Sequence, residues 1–483
     1  MDVERKEIWV DPNKLRILKV IHPVRRYSLL QPADETLDPI QGIRKYEGPY
    51  DVHPDDARVA RDFDKVKMWA FFPKDYPKIG LLLDELLTYL TDGYVAQQHK
   101  EDIDFLGLKD EFKIAEVAIA TPVKNRTRAI PYVVGKMKEC LEEYGIIQEM
   151  EKARRLGYKP IAIIGGPSHR ITTMYREYYL EAKRIFTNDV DVACQYASYY
   201  TLKEGYGILY QIEQRRPIGY ALWNLALDIY GKLGGLAWTV LQIVSAEADK
   251  VIDLTFGIRF SKPDKQGYCA GYVTIIDRFG RLVGVVTAPQ LRAKGKRLKG
   301  MWIPRENMAE VVARAIDYVK SDPRMKDILK QRAVNIVFHK PFGFVKDEIL
   351  GIHDAIEEIE YSHVGLVAIV ERPGLWGYEL PFEGMLEGRC VALNDEMALI
   401  QTMTSMERYV HPIACVVYEW GPFKSLSEVC NHILALTKLH WQTVIPHVRL
   451  PASLEFAHKV ARMYGYEIQP KEGSELWRTL WFI

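Results

Sequence analysis

Pro160-Ile-Ala-Ile-Ile164, Gly165-Gly166-Pro167-Ser168-His169-Arg170, the helical run Thr173–Phe186, then Val190–Ala197: this stretch decides the fold. An apolar run, a glycine turn, an amphipathic run and a second apolar run spell strand, loop, helix, strand. Strands joined through a helix of that length lie parallel, and a parallel sheet needs helices on both faces.

Working outward, the same alternation extends in both directions. Val66–Phe72 and Ile114–Ala120 read as strands, and Ile79–Tyr94, Ile130–Tyr144 and Gly219–Lys232 as helices. Ahead of them, residues 1–58 show little helical pattern. Lys19–Pro23 and a run from Arg26 read as short strands. Beyond residue 246 the order changes. Val251–Phe260, Tyr268–Ile276 and Leu282–Thr287 form three strands, the last two joined by the turn Asp277-Arg-Phe-Gly280. Helix Glu306–Lys320, strand Val334–Phe338, helix Asp347–Glu360 and strand Val364–Val370 follow, then helices Leu426–Trp441 and Leu454–Tyr464. Three antiparallel strands followed by alternating helix and strand is the order of a ribonuclease-H-like domain. The expected division is therefore an N-terminal strand segment over 1–58, a Rossmann-like α/β domain over 59–245 and a ribonuclease-H-like domain over 246–483.

Composition narrows the function. The 483 residues are 48% hydrophobic and 27% charged, which is globular. Lys+Arg number 65 against Asp+Glu 64, so any nucleic-acid site must be a local groove rather than a basic surface. Six widely spaced cysteines without a CxxC pair exclude a zinc ribbon and point to packed thiols in a reducing compartment. The charged start and the lack of an apolar run near 20 residues predict a cytoplasmic protein without a membrane span.

Several residues can carry chemistry. The glycine loop at 165–170 sits at a strand-to-helix turn, where backbone N–H groups favour an anion. Tyr179 and Lys183 lie four apart, hence on one helix face. Gln195 follows on the next strand, and Lys232 ends a long helix before Leu233-Gly-Gly. Lysine offers a phosphate a point charge, and tyrosine offers a base a π-face. Taken singly, such residues are more often surface lysines and packing tyrosines. Arg292, Lys294, Lys296, Arg297 and Lys299 make the loop 290–300 basic enough for a nucleic-acid backbone.

Together, Tyr179-Leu-Glu-Ala-Lys183, Val192-Ala-Cys-Gln195 and Lys232-Leu-Gly-Gly resemble the Argonaute family. The MID domain of that family binds the 5′-phosphate of a guide strand with a tyrosine, a lysine four later, a glutamine on the next strand and a further lysine before Leu-Gly-Gly. Tyr175 and Arg176 offer a second register; Tyr179 is preferred because it fixes Lys183 and Gln195 together. Gly42–Tyr50, Leu436–Trp441 and Leu450–His458 resemble further family segments, so the likeness runs from about residue 42 to the end. Leu480-Trp-Phe-Ile483 is similar to the family's apolar tail, whose terminal carboxylate helps hold a Mg²⁺ ion on the guide phosphate. Some 58 residues leave no room for a PAZ domain ahead of the MID start. The layout resembles short, archaeal-type prokaryotic Argonautes, which keep only MID and PIWI domains.

The resemblance also implies which nuclease ligands to look for, since two-metal cleavage needs converging carboxylates. The first falls on Phe256 or Gly257 and the second on Lys340; His458 stands in the place of the last. Asp253, Asp277, Asp347 and Glu348 have no identifiable partners. The expectation is an inactive protein, not an enzyme. It binds a short guide RNA or DNA, pairs it with complementary invader nucleic acid and passes recognition to separate effector proteins in antiviral defence. An active guided nuclease with rearranged ligands and a docking subunit with a vestigial pocket are the alternatives.

Overall fold

The computed structural model describes residues 16–18, 25–26, 38–54, 59–96, 102–121, 127–167, 175–199, 207–240, 251–293, 302–331, 333–371, 378–379, 383–384, 388–403, 412–441 and 449–483. The loop at 168–170 and the basic positions 294–299 lie outside these residues.

Along the chain come the short strands β1 (Arg16–Ile17) and β2 (Arg25–Arg26) and helix α1 (Pro39–Lys45). Helix α1 falls where little helix was expected. Asp38 caps it, its carboxylate accepting from the Ile40 and Gln41 amides, and Pro39 pre-sets the first turn. Strand β3 (Lys65–Pro73), helix α2 (Pro77–Asp92), β4 (Glu116–Ile119) and β5 (Ala129–Tyr132) follow. Then come α3 (Met137–Glu143), α4 (Ile146–Arg155), β6 (Tyr158–Gly166), α5 (Tyr175–Arg184), β7 (Ala193–Ser198), α6 (Gly219–Lys232) and β8 (Thr239–Val240). The expected helix 130–144 is thus a strand and a shorter helix. β5 pairs parallel with β3 beyond the end of β4, and Gly135 turns the chain into α3.

These strands form an all-parallel sheet in the order β4-β3-β6-β7, with β5 on the far half of β3. Its helices cover both faces. Trp69, Phe71, Ala162 and Ile164 meet α3, α4 and α5 on one side. Met68, Ala70, Ile161 and Ile163 meet α2 and α6 on the other.

The second half contributes β9 (Leu254–Phe260), β10 (Tyr268–Asp277), β11 (Leu282–Arg292), α7 (Arg305–Ser321), β12 (Val334–Pro341), α8 (Lys346–Ile356) and β13 (Tyr361–Val370). Short strands β14 (Cys390–Ala392) and β15 (Met397–Ile400), then β16 (Ile413–Trp420), α9 (Leu426–Thr437) and α10 (Ala452–Tyr464) complete it. The sheet runs β1-β14-β15-β16-β13-β12-β9-β10-β11. β9, β12 and β13 are mutually parallel at its centre, and β10 and β11 form the hairpin turned by Asp277–Gly280. β1 joins β14 at the edge. α7 and α8 pack on one face, and α9 and α10 on the other.

One core crosses between the sheets. Trp223, Tyr230 and Leu233 from the α6 region share it with Tyr272, Ile276, Phe456, Trp481 and Phe482. This α/β arrangement, a parallel sheet followed by a mixed ribonuclease-H-like sheet, is the expected fold class.

Candidate functional site

Helix α5 presents Tyr179 and Lys183 one turn apart toward β7 and α6. The Lys183 side chain is entirely buried (0% exposed), and Lys232 and Gln195 are buried with it. Lys232 Nζ donates to Gln195 Oε1, and Gln195 Nε2 to Asp228 Oδ2 at 3.4 Å. Lys183 Nζ donates to the main-chain oxygen of Ile483 at 3.0 Å and lies 6.0 Å from the Tyr179 ring centre. Tyr179 meets Tyr196 edge-on at 5.4 Å. The four residues chosen from sequence, and Ile483, therefore stand together.

Local structure explains the convergence. Lys232 is the last residue of α6, and Gly234 at φ +93° turns the chain away behind it. Gly231 lets the tail approach: a Cβ there would sit 3.0 Å from Leu480, whose amide donates to the Gly231 carbonyl. That contact brings Ile483 to Lys183. On the far side, Asn188 binds both the Glu467 carbonyl and the Gln469 amide. Helix α5 is thus pinned to the C-terminal segment just beyond Lys183.

Burial dominates the electrostatics. It pushes both ammonium groups below the ordinary lysine range, and Lys183 depresses Lys232 further by repulsion. Burial likewise raises the Asp228 carboxyl, against the pull of Lys232, Lys459 and Lys183. The Tyr179 phenol is pushed up for the same reason, so it stays neutral. Asp228 Oδ1 is buried without a hydrogen-bond partner among the described residues. Two mutually repelling ammonium groups thus meet two carboxyl groups, the side chain of Asp228 and the chain end at Ile483, in one buried polar cluster. A phosphate offers ammonium groups so placed both negative charge and acceptor oxygens.

Sequence reading missed Asp228, Lys459 and Arg462. Asp228 was within reach, because it lies one turn before Lys232 on the same helix face. Lys459 and Arg462 come from α10, and only the packing of the two sheets brings them near Asp228 and Tyr179. The glycines 165 and 166 need correction. They lie within β6, where a Cβ would sit 2.3 Å from Leu83 and 1.9 Å from the Tyr196 hydroxyl. They are explained by packing, not by a phosphate.

The central strands of the second sheet hold the positions matched to nuclease ligands. A Cβ on Gly257 would lie 2.1 Å from the Ser453 carbonyl, so the first turn of α10 rests directly on the β9 backbone. Beside Gly257 in register is His339, whose Nδ1 shares a hydrogen bond with Ser453 Oγ at 2.9 Å. His432 packs on His339 at 5.4 Å and bonds Thr255 Oγ1. Burial holds both imidazoles well below the usual histidine range, hence neutral.

Phe256 stacks on Phe338 across the opposite face, 4.9 Å between rings. By strand alternation Lys340 shares that face, away from Gly257. Its ammonium is buried, paired with Glu348 at 3.1 Å and bonded to the Gly343 carbonyl at 2.7 Å. Lys340 is therefore a clamp on the loop after β12; it shares the face of Phe256, one of the two positions matched to the first ligand, and not that of Gly257. The spare acids are also engaged. Asp253 accepts from the Asn335 amide, Asp277 from Phe279, Arg281 and its own turn, and Glu348 from the Ile303 and Val345 amides. His458 is exposed on α10, near Arg259, Glu455, Glu371 and Arg462. Among the described residues no three His, Cys, Asp or Glu side chains are grouped to hold a metal.

No protein-family model matches the chain, and no curated protein does. Solved structures do. Clostridium butyricum Argonaute bound to a guide DNA and a 19-mer target DNA matches with a TM-score of 0.65 at 14% identity, over 98% of this chain and 56% of that one. Aa-Ago with externally bound siRNA matches with a TM-score of 0.61 at 15% identity, over 96% and 56%. The chain thus has an Argonaute fold and spans little more than half the length of these two proteins. Among the described residues no helix is long and apolar enough to cross a membrane.

Proposed function

We propose that this protein binds the 5′-phosphate of a short single-stranded guide in the Lys183–Lys232 pocket and pairs the guide with complementary nucleic acid. One observation carries the reading: two buried lysines, 49 positions apart, are brought into one polar cluster with Tyr179 and Gln195, as a phosphate site would need. Tyr179 offers its ring to the first base, and Gln195, held between Lys232 and Asp228, stands ready to exchange one of those bonds for a phosphate oxygen. Specificity would then come from base pairing, the protein gripping backbone and shape.

The pocket also fits a divalent cation such as Mg²⁺. The unpartnered Asp228 Oδ1 and the main-chain oxygen of Ile483 are hard oxygen donors of the kind that ion takes, and Lys183 adjoins both. The ion would neutralise charge between carboxylate and phosphate. Lys183 and Lys232 supply the remaining positive charge, and Asp228 orients Gln195.

The reading includes a protein that holds its target without cutting it. At Gly257 the backbone of α10 leaves no space for a carboxylate, and His458 is exposed on α10 with no third acid or imidazole grouped with it among the described residues. A filled nuclease face requires another molecule to act, which supports separate effector proteins and a role in defence against invading nucleic acid.

The deciding experiment isolates the protein from its own cells and sequences what copurifies. Short single strands carrying 5′-phosphates are expected. Purification free of nucleic acid, or with 5′-hydroxyl ends only, would remove the basis for the assignment.

A further inference from the structure

At the carboxyl end of β12, directly after Pro341, stands Phe342. It has φ +68°, a left-handed conformation that a bulky aromatic residue adopts only under constraint. It is also 75% exposed to solvent. Neither feature serves the fold. The strain is imposed by its neighbours: Lys340 is bonded to the Gly343 carbonyl, Phe344 is buried in the core, and Gly343 follows at φ +101°. The chain thus holds a strained aromatic ring outward by means of two buried anchors, and strain of this kind collects where a ligand is met.

The same sheet edge carries a second exposed ring. β9 and β12 end there, and antiparallel β10 begins there with Tyr268, 42% exposed. β9 lies between them, so the two rings stand at least about 10 Å apart, two strand spacings. Around them the exposed Lys262 and Lys265 lie in the loop from β9 to β10, and Arg292 pairs with Tyr268 in register. Asp264, in the same loop, is engaged as a turn former, its carboxylate accepting from the Gln266 and Tyr268 amides. Ligand sites of open α/β sheets lie outside the carboxyl ends of parallel strands. Aromatic faces interleaved with cations are how proteins hold unpaired bases without reading sequence.

We infer that Phe342 and Tyr268 form a stacking platform for the bases of a single-stranded nucleic acid, with Lys262, Lys265 and Arg292 on its backbone. This goes beyond the phosphate pocket and uses none of its residues. Only the biological identity of the strand, a target awaiting its guide, rests on the function proposed above.

The test uses the full chain without guide and a 5′-hydroxyl single strand carrying 2-aminopurine, at fixed salt. Stacking should quench the probe on binding. Phe342→Ala and Phe342→Leu should each weaken binding about tenfold and abolish the quenching, while Phe342→Trp retains both. Phe342→Gly relieves the backbone strain, so it should melt no lower than wild type while losing the strand. Equal affinity and quenching for wild type and Phe342→Ala would overturn the inference. So would full retention by Phe342→Leu, since an apolar contact without a π-face would mark a protein-binding surface instead. A wild type that takes this strand but rejects 5′-phosphorylated guides would sink the pocket reading alone.

Discussion

Two polar sites lie on the two sheets, and they are built in opposite ways. Around Lys183 and Lys232 the protein buries like charges side by side and, among the described residues, gives Asp228 Oδ1 no hydrogen-bond partner. Around Gly257 and His339 it keeps its groups neutral and closes the space with the backbone of α10. The first arrangement holds two ammonium groups where one anion could bridge them. The second is closed as it stands. On the reading proposed above, the paired buried lysines are therefore the better guide to a binding site than the positions matched to a catalytic motif.

The comparison breaks first at the lysines. Charge-assisted hydrogen bonds contribute about 1.5–3 kcal/mol each. Lys183→Ala or Lys232→Ala should therefore weaken a 5′-phosphorylated guide by roughly ten- to a hundredfold. A 5′-hydroxyl guide should lose far less, because it lacks the charge the lysines meet. Titrating both guides at one salt concentration checks this. Equal losses would reduce the pocket to a general electrostatic surface and remove the contrast between the two sites.

A somewhat smaller effect is expected at the closed site. Gly257→Asp restores a carboxylate at a matched ligand position, but its Cβ would press on the Ser453 carbonyl, which already accepts from Thr274 Oγ1 at 2.5 Å. Overpacking against backbone costs about 1–3 kcal/mol. Denaturant unfolding should show that loss, and no guided cleavage should appear with Mg²⁺ or Mn²⁺. A variant as stable as wild type that cuts a guide-matched target would show that α10 yields and that the face is open.

Much of this was legible in the sequence, for physical reasons that differ by region. The strands and helices of both sheets follow from apolar periodicity, and α6 ends at the lysine where the Gly-Gly pair said it should. Strand β5 was hidden inside a longer helical-looking run, because four residues carry too little pattern to separate from the helix that follows. β14 and β15 are shorter than a readable alternation. Motif matching left Phe256 and Gly257 open for the first ligand, and a slip of one residue reverses the strand face, so only the structure shows that Lys340 lies on the Phe256 side. Asp228 was passed over although its spacing to Lys232 was visible. Lys459 and Arg462 were not readable at all, since they reach the pocket only through packing between the sheets.

The least effect, and the one that separates charge from shape, is pH. Burial sets the folded pKa of Lys232 below its unfolded value of about 10.4. Between those two values the unfolded chain binds more protons, so this lysine's cost to the guide-free fold shrinks as pH rises. Lys232→Met carries no such cost. The variant should therefore be more stable than wild type near neutrality, and the gap should narrow in alkali. Asp228 titrates on the acid side; Lys183 and Cys194 remain in both proteins but feel Lys232, so the difference reads Lys232 together with its coupling to them. Guide binding should move the other way. The phosphate needs the ammonium form, so wild-type affinity for a 5′-phosphorylated guide should fall with rising pH, by less than about tenfold per unit, the limit for one proton. Thermal unfolding of the guide-free pair, beside guide titrations at the same pH values, reads both slopes. If the stability gap stays constant while affinity also holds, Lys232 keeps an ordinary charge. The pocket would then be a shaped cleft rather than one that waits for an anion.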